Sequence, residues 1–426
     1  MPFATIHGKY LRLSFSGDYH SFAIRERIKR TIPRDERTYS KENDYWSLRI
    51  SLEAIQLVLD DKFNFKISDQ DFEYLLPIAD RLIKKQEKRE EKFAISKALS
   101  APVIEEVAAL MKLPAWDYQW APLHYALLCD GKFLLTDEMA CGKSVESLMI
   151  LHHPRWIHKK AIIVSKAPET YQKEIDKFFG RGSSMIIDKP LYGLHPKIRF
   201  YLTTYHRLKH FFQDEENFIP RPYHKDVFWI FDEAQSIKNP RTKMHQFAAA
   251  LLSGDNERIL MTGSPIMNRV EELFHLCKLV DPDFMPQNIF LQRFCGLTYS
   301  TGGIKISENQ NLSSLSRFLF ETMMIRREKK QVQTSLPDKV RSSIQLHPKP
   351  IDIKADNMFD LYAQSAELKA KDSVFVEYVE TAIEETEKVG FFGYHKCVLD
   401  AVEKICKKMK VKYIRIDGAT PQADRQ

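Results

Sequence analysis

Several common organising features are missing from this sequence of 426 residues. Its cysteines (Cys129, Cys141, Cys277, Cys295, Cys397 and Cys406) form no CxxC pair, and none has a histidine at zinc-ligand spacing. That argues against a disulfide framework or a zinc module, and a reducing intracellular compartment is the simplest expectation. The opening MPFATIHGKYLRL holds no long apolar segment, so no secretory signal is expected. No apolar run is long enough to suggest a membrane span. Internal repeats, low-complexity tracts and a clear basic nuclear-targeting cluster are also absent. The expected location is cytoplasmic in a bacterial or viral source, or nuclear if the source is eukaryotic.

What is present is ordinary globular material. Hydrophobic residues make up 44% and charged residues 28%, enough for two or three domains that each bury a core. Lys and Arg number 64 against 57 Asp and Glu, a net charge of +7. This mild excess is compatible with a polyanionic partner without requiring one.

Residues 1–66 read as a small α/β unit. KYLRLSF (Lys9–Phe15) alternates like a strand. Asp18 is placed to cap a helix through about Arg30, with Phe22, Ile24 and Ile28 as its apolar positions. TYSKENDYWSLRI (Thr38–Ile50) reads as a hairpin turning near Lys41–Asp44, and Ser51 as the cap of a helix carrying Ile55, Leu57, Val58 and Leu59. Residues 67–112 are helical in period and highly charged; a solvated linker is expected, with a DNA-binding helix as the alternative. From Leu113 to residue 284, helical segments alternate with short apolar runs. These are KFLLT (Lys132–Thr136), AIIVS (Ala161–Ser165), RFYLTT (Arg199–Thr204), VFWIFD (Val227–Asp232) and RILMTG (Arg258–Gly263). Runs of this kind suit strands buried on both faces of a parallel sheet. Residues 285–385 read as mostly helical. VGFFGY (Val389–Tyr394) and VKYIRID (Val411–Asp417), around a helix over His395–Met409, predict the start of a second α/β sheet across residues 386–426. Two parallel strands do not make a stable core, so that sheet is expected to need more chain than is present.

The chemistry concentrates in three segments. In LLTDEMACGKSVESLMIL (Leu134–Leu151), an apolar strand runs through a loop into an amphipathic helix. Gly142, Lys143 and Ser144 sit where backbone N–H groups and a helix N-terminus can cradle phosphates. Lys143 would reach the β- and γ-phosphates, and the Ser144 hydroxyl would hold Mg2+. In VFWIFDEAQ (Val227–Gln235), Asp232 and Glu233 end a strand, the edge at which open α/β sheets bind ligands. Asp232 would bind Mg2+ through water, and Glu233 would orient and deprotonate an attacking water. In ILMTGSPIMN (Ile259–Asn268), Thr262 and Ser264 could sense the γ-phosphate side. Each segment has a plainer reading: a surface loop, two acids ending a strand, a Gly-Pro turn with capping hydroxyls. Their order along the chain favours the catalytic one.

Taken in that order, the segments resemble the Swi/Snf-type branch of the superfamily-two helicases. DYQWAPLHYALL (Asp117–Leu128) is similar to the segment whose glutamine, here Gln119, contacts adenine. DEMACGKS, DEAQSIKNPRTK (Asp232–Lys243), LMTGSPIMNRVEELFHLCKLVDPDF (Leu260–Phe284) and MMIRREKKQVQTSLPDK (Met323–Lys339) match later elements of that branch. YHKCVLDAVEKICKKMKVKYIRIDGATPQADRQ (Tyr394–Gln426) resembles the opening of its second lobe, in the style of the annealing-helicase (HepA-related protein) subfamily. IKRTIPRDERTY followed by DYWSL resembles that subfamily's accessory module more weakly, with an unrelated α/β module as the alternative.

The resemblance implies an α/β chain: a RecA-like P-loop lobe with a parallel sheet, the start of a second RecA-like lobe, and a small N-terminal α/β accessory domain. It implies a monomeric, ATP- and Mg2+-using DNA translocase that remodels or rewinds duplex or branched DNA without sequence preference. Gln235 replaces the commoner histidine of its motif and would hydrogen-bond across the cleft. Lys166, Thr204, Arg207 and Lys396 are the candidate nucleic-acid contacts. Tyr45 and Trp46 could stack on bases or serve the hairpin core.

Four departures temper this. Ala140 and Cys141 stand where glycine and leucine are usual, which could slow hydrolysis. Cys141 is either redox-sensitive or simply packed. Ser165 replaces a frequent proline. The later second-lobe motifs, including the arginine that stabilises the transition state, are not in these residues, so weak turnover is expected from this chain by itself. A nucleotide-gated DNA-binding module with little hydrolysis is the alternative from another class. An RNA helicase of the same superfamily fits DEAQSIKNP less well.

Overall fold

Alternating apolar residues build an antiparallel four-stranded sheet at the N-terminus, ordered Phe3–His7, Tyr10–Ser14, Tyr45–Arg49, Arg37–Ser40. Ala4, Leu11, Leu13 and Leu48 point to one face, where they meet Ile24 and Ile28 of the helix Tyr19–Thr31 and Ile55 and Val58 of the helix Leu52–Leu59. The Ser51 hydroxyl caps the second helix by accepting from Ala54 N at 3.2 Å. Phe22 does not join this core and is 63% exposed. Ile24 and Ile28 are one helical turn apart, whereas Phe22 sits about 200° around the helix from Ile24. Leu59 is likewise exposed at the helix end. Trp46 packs against the core and against Tyr39, while Tyr45 lies under Arg12, so the hairpin-core reading holds for Trp46. The chain is described from a computed structural model that covers residues 2–15, 19–180, 183–266, 269–300, 303–306, 310–335, 340–346 and 357–420. The Asp18 cap lies outside them.

The charged segment after residue 67 is a single helix, Asp69–Lys97, capped by Ser68 accepting from Asp71 N at 3.1 Å. It is not a freely solvated linker. Its first half places Leu75, Ile78, Ala79 and Leu82 on the N-terminal core. Its second half packs Phe93 and Ile95 on the main sheet's layers, donates from Lys92 Nζ to Thr322 O at 2.9 Å, and sets Lys97 Nζ 3.5 Å from the Phe320 ring centre. Its long charged stems cover apolar surface and keep their heads wet, which conceals the packed stripe in the sequence.

The main sheet has seven strands, all parallel. Their order is Met324–Ile325, Lys132–Leu135, Arg258–Met261, Val227–Asp232, Lys160–Val164, Phe200–Thr203, Ser184–Ile186. Successive side chains enter opposite layers: Trp229 and Phe231 with Leu134, Ile162 and Leu260 on one face, Phe228 and Ile230 with Phe133, Ile163 and Ile259 on the other. Burial on both faces explains why these strands read as unbroken apolar runs. The two outer strands are too short and too polar in context to be read from sequence. Met324–Ile325 falls in the stretch expected to be mostly helical, yet it closes one edge of the sheet.

The chain forms two compact units, Met1–Leu336 and Pro337–Gln426. In the second, helices Met358–Ala370, Ser373–Glu385 and Lys396–Met409 are present, and Val379, Val402, Ile405 and Cys406 form its small core. The strands expected at Val389–Tyr394 and Val411–Asp417 do not form. Among the described residues neither segment has a ladder partner. Arg415 instead ties the later segment to the helix through Asp400 and Glu403, each at 2.7 Å.

The packed reading of the long helix is testable. Leu75→Ala should cost about 2–4 kcal/mol, whereas Ile83→Ala, at an exposed position, should cost under about 0.5 kcal/mol. Denaturant melts of the two variants check this; equal, negligible losses would restore the solvated linker.

Candidate nucleotide-binding site

The strand Lys132–Leu135 ends in the loop 136–142, and the helix Lys143–His152 starts at Gly142. Gly142 adopts a left-handed backbone with φ +89°, and a Cβ there would collide with Gln119 Nε2. Both facts require glycine. Lys143 Nζ folds back over the loop, donating to Asp137 O at 2.8 Å and Glu138 O at 3.2 Å. Ser144 begins the helix, partly exposed beside it. Gln119 is buried behind the loop: its Oε1 accepts from Trp116 N at 2.9 Å and its Nε2 donates to Cys141 O at 3.3 Å. Its carboxamide therefore braces the loop in this structure.

Ala140 has φ +66°. The side chain that replaces the family's usual glycine is thus held in the conformation glycine tolerates, at a cost of about 1–2 kcal/mol. Cys141 is 1% exposed, and burial pushes its thiol up to about 11. It is a packed side chain rather than a reactive thiolate.

Asp232 and Glu233 end the strand Val227–Asp232, with Arg258–Met261 as the single strand between them and the loop strand. The two expected halves of the site therefore leave the same carboxyl edge. Gly263, after the intervening strand, packs so closely that a Cβ there would lie 2.9 Å from Met139 Cγ and 3.6 Å from Lys143 Nζ. Burial raises the Asp232 pKa above the usual carboxylate range; Glu233 adds to this, while the hydrogen bond from Ser165 and the charge of Lys143 oppose it. Ser165 Oγ donates to Asp232 Oδ2 at 3.0 Å, so the residue that departs from proline supports the acid. Tyr205 fixes the backbone there by donating to Asp232 O at 2.6 Å. Glu233 takes a left-handed φ of +56°, and Gln235 Nε2 donates to its carboxylate. Gln235 thus holds Glu233 directly. Thr262 is fully buried and its hydroxyl accepts from Ser264 N at 3.1 Å, closing a local turn. Met267 and Asn268 lie outside the described residues.

Together these groups could hold Mg2+ between the Ser144 hydroxyl and Asp232 and offer Lys143 to phosphate oxygens, a fit consistent with hard oxygen ligands. Lys166 and Thr204 follow two adjacent strands at this same edge, with Arg207 in the short helical stretch Tyr205–Phe211. Lys166 is exposed; Arg207 is half-buried, donating to Ile187 O at 3.4 Å. Lys396 is exposed at the start of its helix in the second unit.

Residue-by-residue reading missed an acid pair and its partner. Arg327 Nη2 reaches Glu146 Oε1 at 3.1 Å and also Asp137 Oδ2, and its N–H donates to Asp137 Oδ1 at 3.0 Å. All three side chains are at most 1% exposed. The visible signal was Glu146 inside the apolar stretch VESLMIL, a charge that needs a buried partner. The partner lies 181 residues further on, beyond any periodicity argument.

An α/β lobe with a lysine-bearing loop and a paired-acid strand at one carboxyl edge is a P-loop type of nucleotide site. Residues 118–389 match the SNF2-related domain, and the chain belongs to that family. It is 24% identical to a Drosophila melanogaster "SWI/SNF-related matrix-associated actin-dependent regulator of chromatin subfamily A-like protein 1", covering 75% of this chain and 45% of that protein. Its identity to the protein of that name in Bos taurus is 28%, over 72% of this chain and 35% of the other. It is 24% identical to the Mus musculus "DNA annealing helicase and endonuclease ZRANB3", covering 71% and 31%. The annealing-helicase kinship expected from the sequence is borne out in these relatives, of which the chain spans less than half the length. Among solved structures, a Sulfolobus solfataricus SWI2/SNF2 ATPase core in complex with dsDNA is similar with TM-score 0.43 and 19% identity, over 70% of this chain and 58% of that one.

Two outcomes follow from the geometry. Ser165→Ala removes a bond that favours the ionised Asp232 carboxylate. The acid limb of Mg2+-nucleotide affinity should therefore move to higher pH; a limb that stays or moves down contradicts the assignment. Ala140→Gly should leave stability unchanged or raise it by up to about 1 kcal/mol, because relief of the left-handed strain offsets the added chain entropy. A clear drop in melting temperature would show that no strain is stored there.

Proposed function

We propose that this chain carries the nucleotide-binding half of an ATP-dependent DNA motor that remodels or rewinds DNA. One observation carries the reading: Lys143 and the pair Asp232 and Glu233 leave one edge of one parallel sheet, a single strand apart. Lys143 would neutralise the β- and γ-phosphates, Ser144 and Asp232 would hold Mg2+, and Glu233, steadied by Gln235, would deprotonate the attacking water. The magnesium ion would supply charge neutralisation on the phosphates. Lys166, Thr204 and Arg207 would meet DNA phosphates rather than bases, giving salt-sensitive binding with little sequence preference. Thr262 and Ser264 would sense the γ-phosphate side of the site.

A second reading, a nucleotide-gated DNA-binding module with little hydrolysis, is favoured by one feature, the left-handed Ala140 in the phosphate loop. ATP turnover with and without branched DNA separates the two. Joined to the second-lobe motifs that these residues lack, a motor shows DNA-stimulated turnover, lost about 100-fold or more in Glu233→Gln and abolished in Lys143→Ala, with melting temperatures unchanged. The gated module shows ATP-dependent DNA affinity with turnover near background. Undiminished turnover in either variant contradicts the roles of Lys143 and Glu233. For the DNA contact, Lys166→Ala should lower the slope of log affinity against log salt by about one; an unchanged slope removes Lys166 from the interface.

A further inference from the structure

The phosphate loop is held from behind by a segment that lies outside the nucleotide motifs. Met323–Gln333 runs alongside residues 134–140 and bonds to them almost one for one. Leu134 N donates to Met323 O at 2.7 Å, Thr136 N to Ile325 O at 2.9 Å and Glu138 N to Arg327 O at 2.9 Å. In return Arg326 Nη1 donates to Thr136 O at 2.7 Å, Lys329 N to Glu138 Oε2 at 2.7 Å and Gln333 Nε2 to Ala140 O at 3.1 Å. Arg326 also reaches Gly263 O at 3.2 Å, so the turn after the neighbouring strand is tied to the same segment.

At the centre sits Arg327, whose guanidinium bonds Asp137 at the start of the loop, Glu146 on the helix after it, and Tyr118 O beside Gln119. Burial pushes the Glu146 pKa well up, with Asp137 adding to it; the two acids in turn hold Arg327 above its ordinary value against the effect of burial. Among the described residues Arg327 Nε and Glu146 Oε2 have no hydrogen-bond partner, so the cluster is not fully satisfied there. A buried ionic cluster of this kind adds little net stability compared with well-packed apolar groups, and its best-attested use is to fix one arrangement over others. Breaking it leaves uncompensated charge, so the two sides of the loop are strongly disposed to stay together.

We propose that Arg327 and Gln333 are positioning residues for nucleotide binding: the segment Met323–Gln333 clips the back of the phosphate loop and sets its conformation. This rests on the loop being the phosphate site. The segment bonds the loop at Leu134, Thr136, Glu138 and Ala140 from behind, so a change in it would alter the grip on triphosphate without touching it.

The test uses the full chain, a fluorescent Mg2+-ATP analogue, and maleimide labelling of Cys141 read by mass spectrometry, with fully buried Cys277 as the reference for global unfolding. Gln333→Ala, at a partly exposed position, should weaken analogue binding about 3–10-fold and speed Cys141 labelling while Cys277 labelling and melting temperature hold. Arg327→Lys should do both more strongly, by at least about tenfold. Unchanged affinity and Cys141 labelling in Gln333→Ala overturn the proposal. So does an Arg327→Lys variant in which Cys141 and Cys277 accelerate together while Gln333→Ala is silent, because Arg327 would then be only structural. If the unaltered chain binds no analogue yet both variants expose Cys141 selectively, the clip stands and the nucleotide reading falls.

Discussion

Strands in a parallel sheet share one direction, so the loops that follow them all emerge at one edge. That constraint governs the molecule. It brings the loop after Lys132–Leu135, the acids after Val227–Phe231 and the turn after Arg258–Met261 together, though about a hundred residues separate the first from the second. It also decides what the interior looks like. Both faces of the sheet are covered, so Phe228, Trp229, Ile230 and Phe231 are all fully buried, and polarity returns only at Asp232, where the chain reaches the edge. Composition and chemistry change at the same residue because one geometry imposes both.

At that edge the local energetics run against ease of folding. Ala140 and Glu233 both hold left-handed backbones, and Asp232 is kept partly out of water. Such costs persist only where surrounding contacts over-determine the conformation. Here those contacts are identifiable: Tyr205 on the Asp232 carbonyl, Ser165 on its carboxylate, Gln235 on Glu233, and Gln119 with Tyr118 on Cys141 O. A carboxylate held in a partly buried position, with its serine donor already in place, needs less rearrangement to meet a cation than a solvated one would.

The legible parts of the sequence were those with a local signature. Five of the seven parallel strands stood out because double-sided burial leaves runs such as VFWIFD, and Gly142, Lys143 and Ser144 were legible from the strand-loop-helix order around them. What escaped depends on partners far along the chain. Met324–Ile325 is a strand only because Leu134 and Leu135 offer it a ladder. The helix Asp69–Lys97 hides a packed stripe under lysine and glutamate stems, and the regular spacing of Ile24 and Ile28 drew Phe22 into a face it does not share. Conversely, Val389–Tyr394 and Val411–Asp417 have strand-like composition but no described neighbour to pair with, so propensity alone did not make them strands. Arg327 was visible as part of a motif, yet its role came only from the two buried acids that face it.

The central claim is that a magnesium-bound triphosphate sits at the carboxyl edge between the loop lysine and the paired acids. The most direct measurement is a crystal structure with Mn2+ and a non-hydrolysable ATP analogue, with the metal located by its anomalous signal. The account predicts manganese on the Ser144 hydroxyl and bridged by water to Asp232, with Lys143 released from the Asp137 and Glu138 carbonyls onto phosphate oxygens. Manganese elsewhere, or Lys143 still bound to those carbonyls with the nucleotide present, would contradict it.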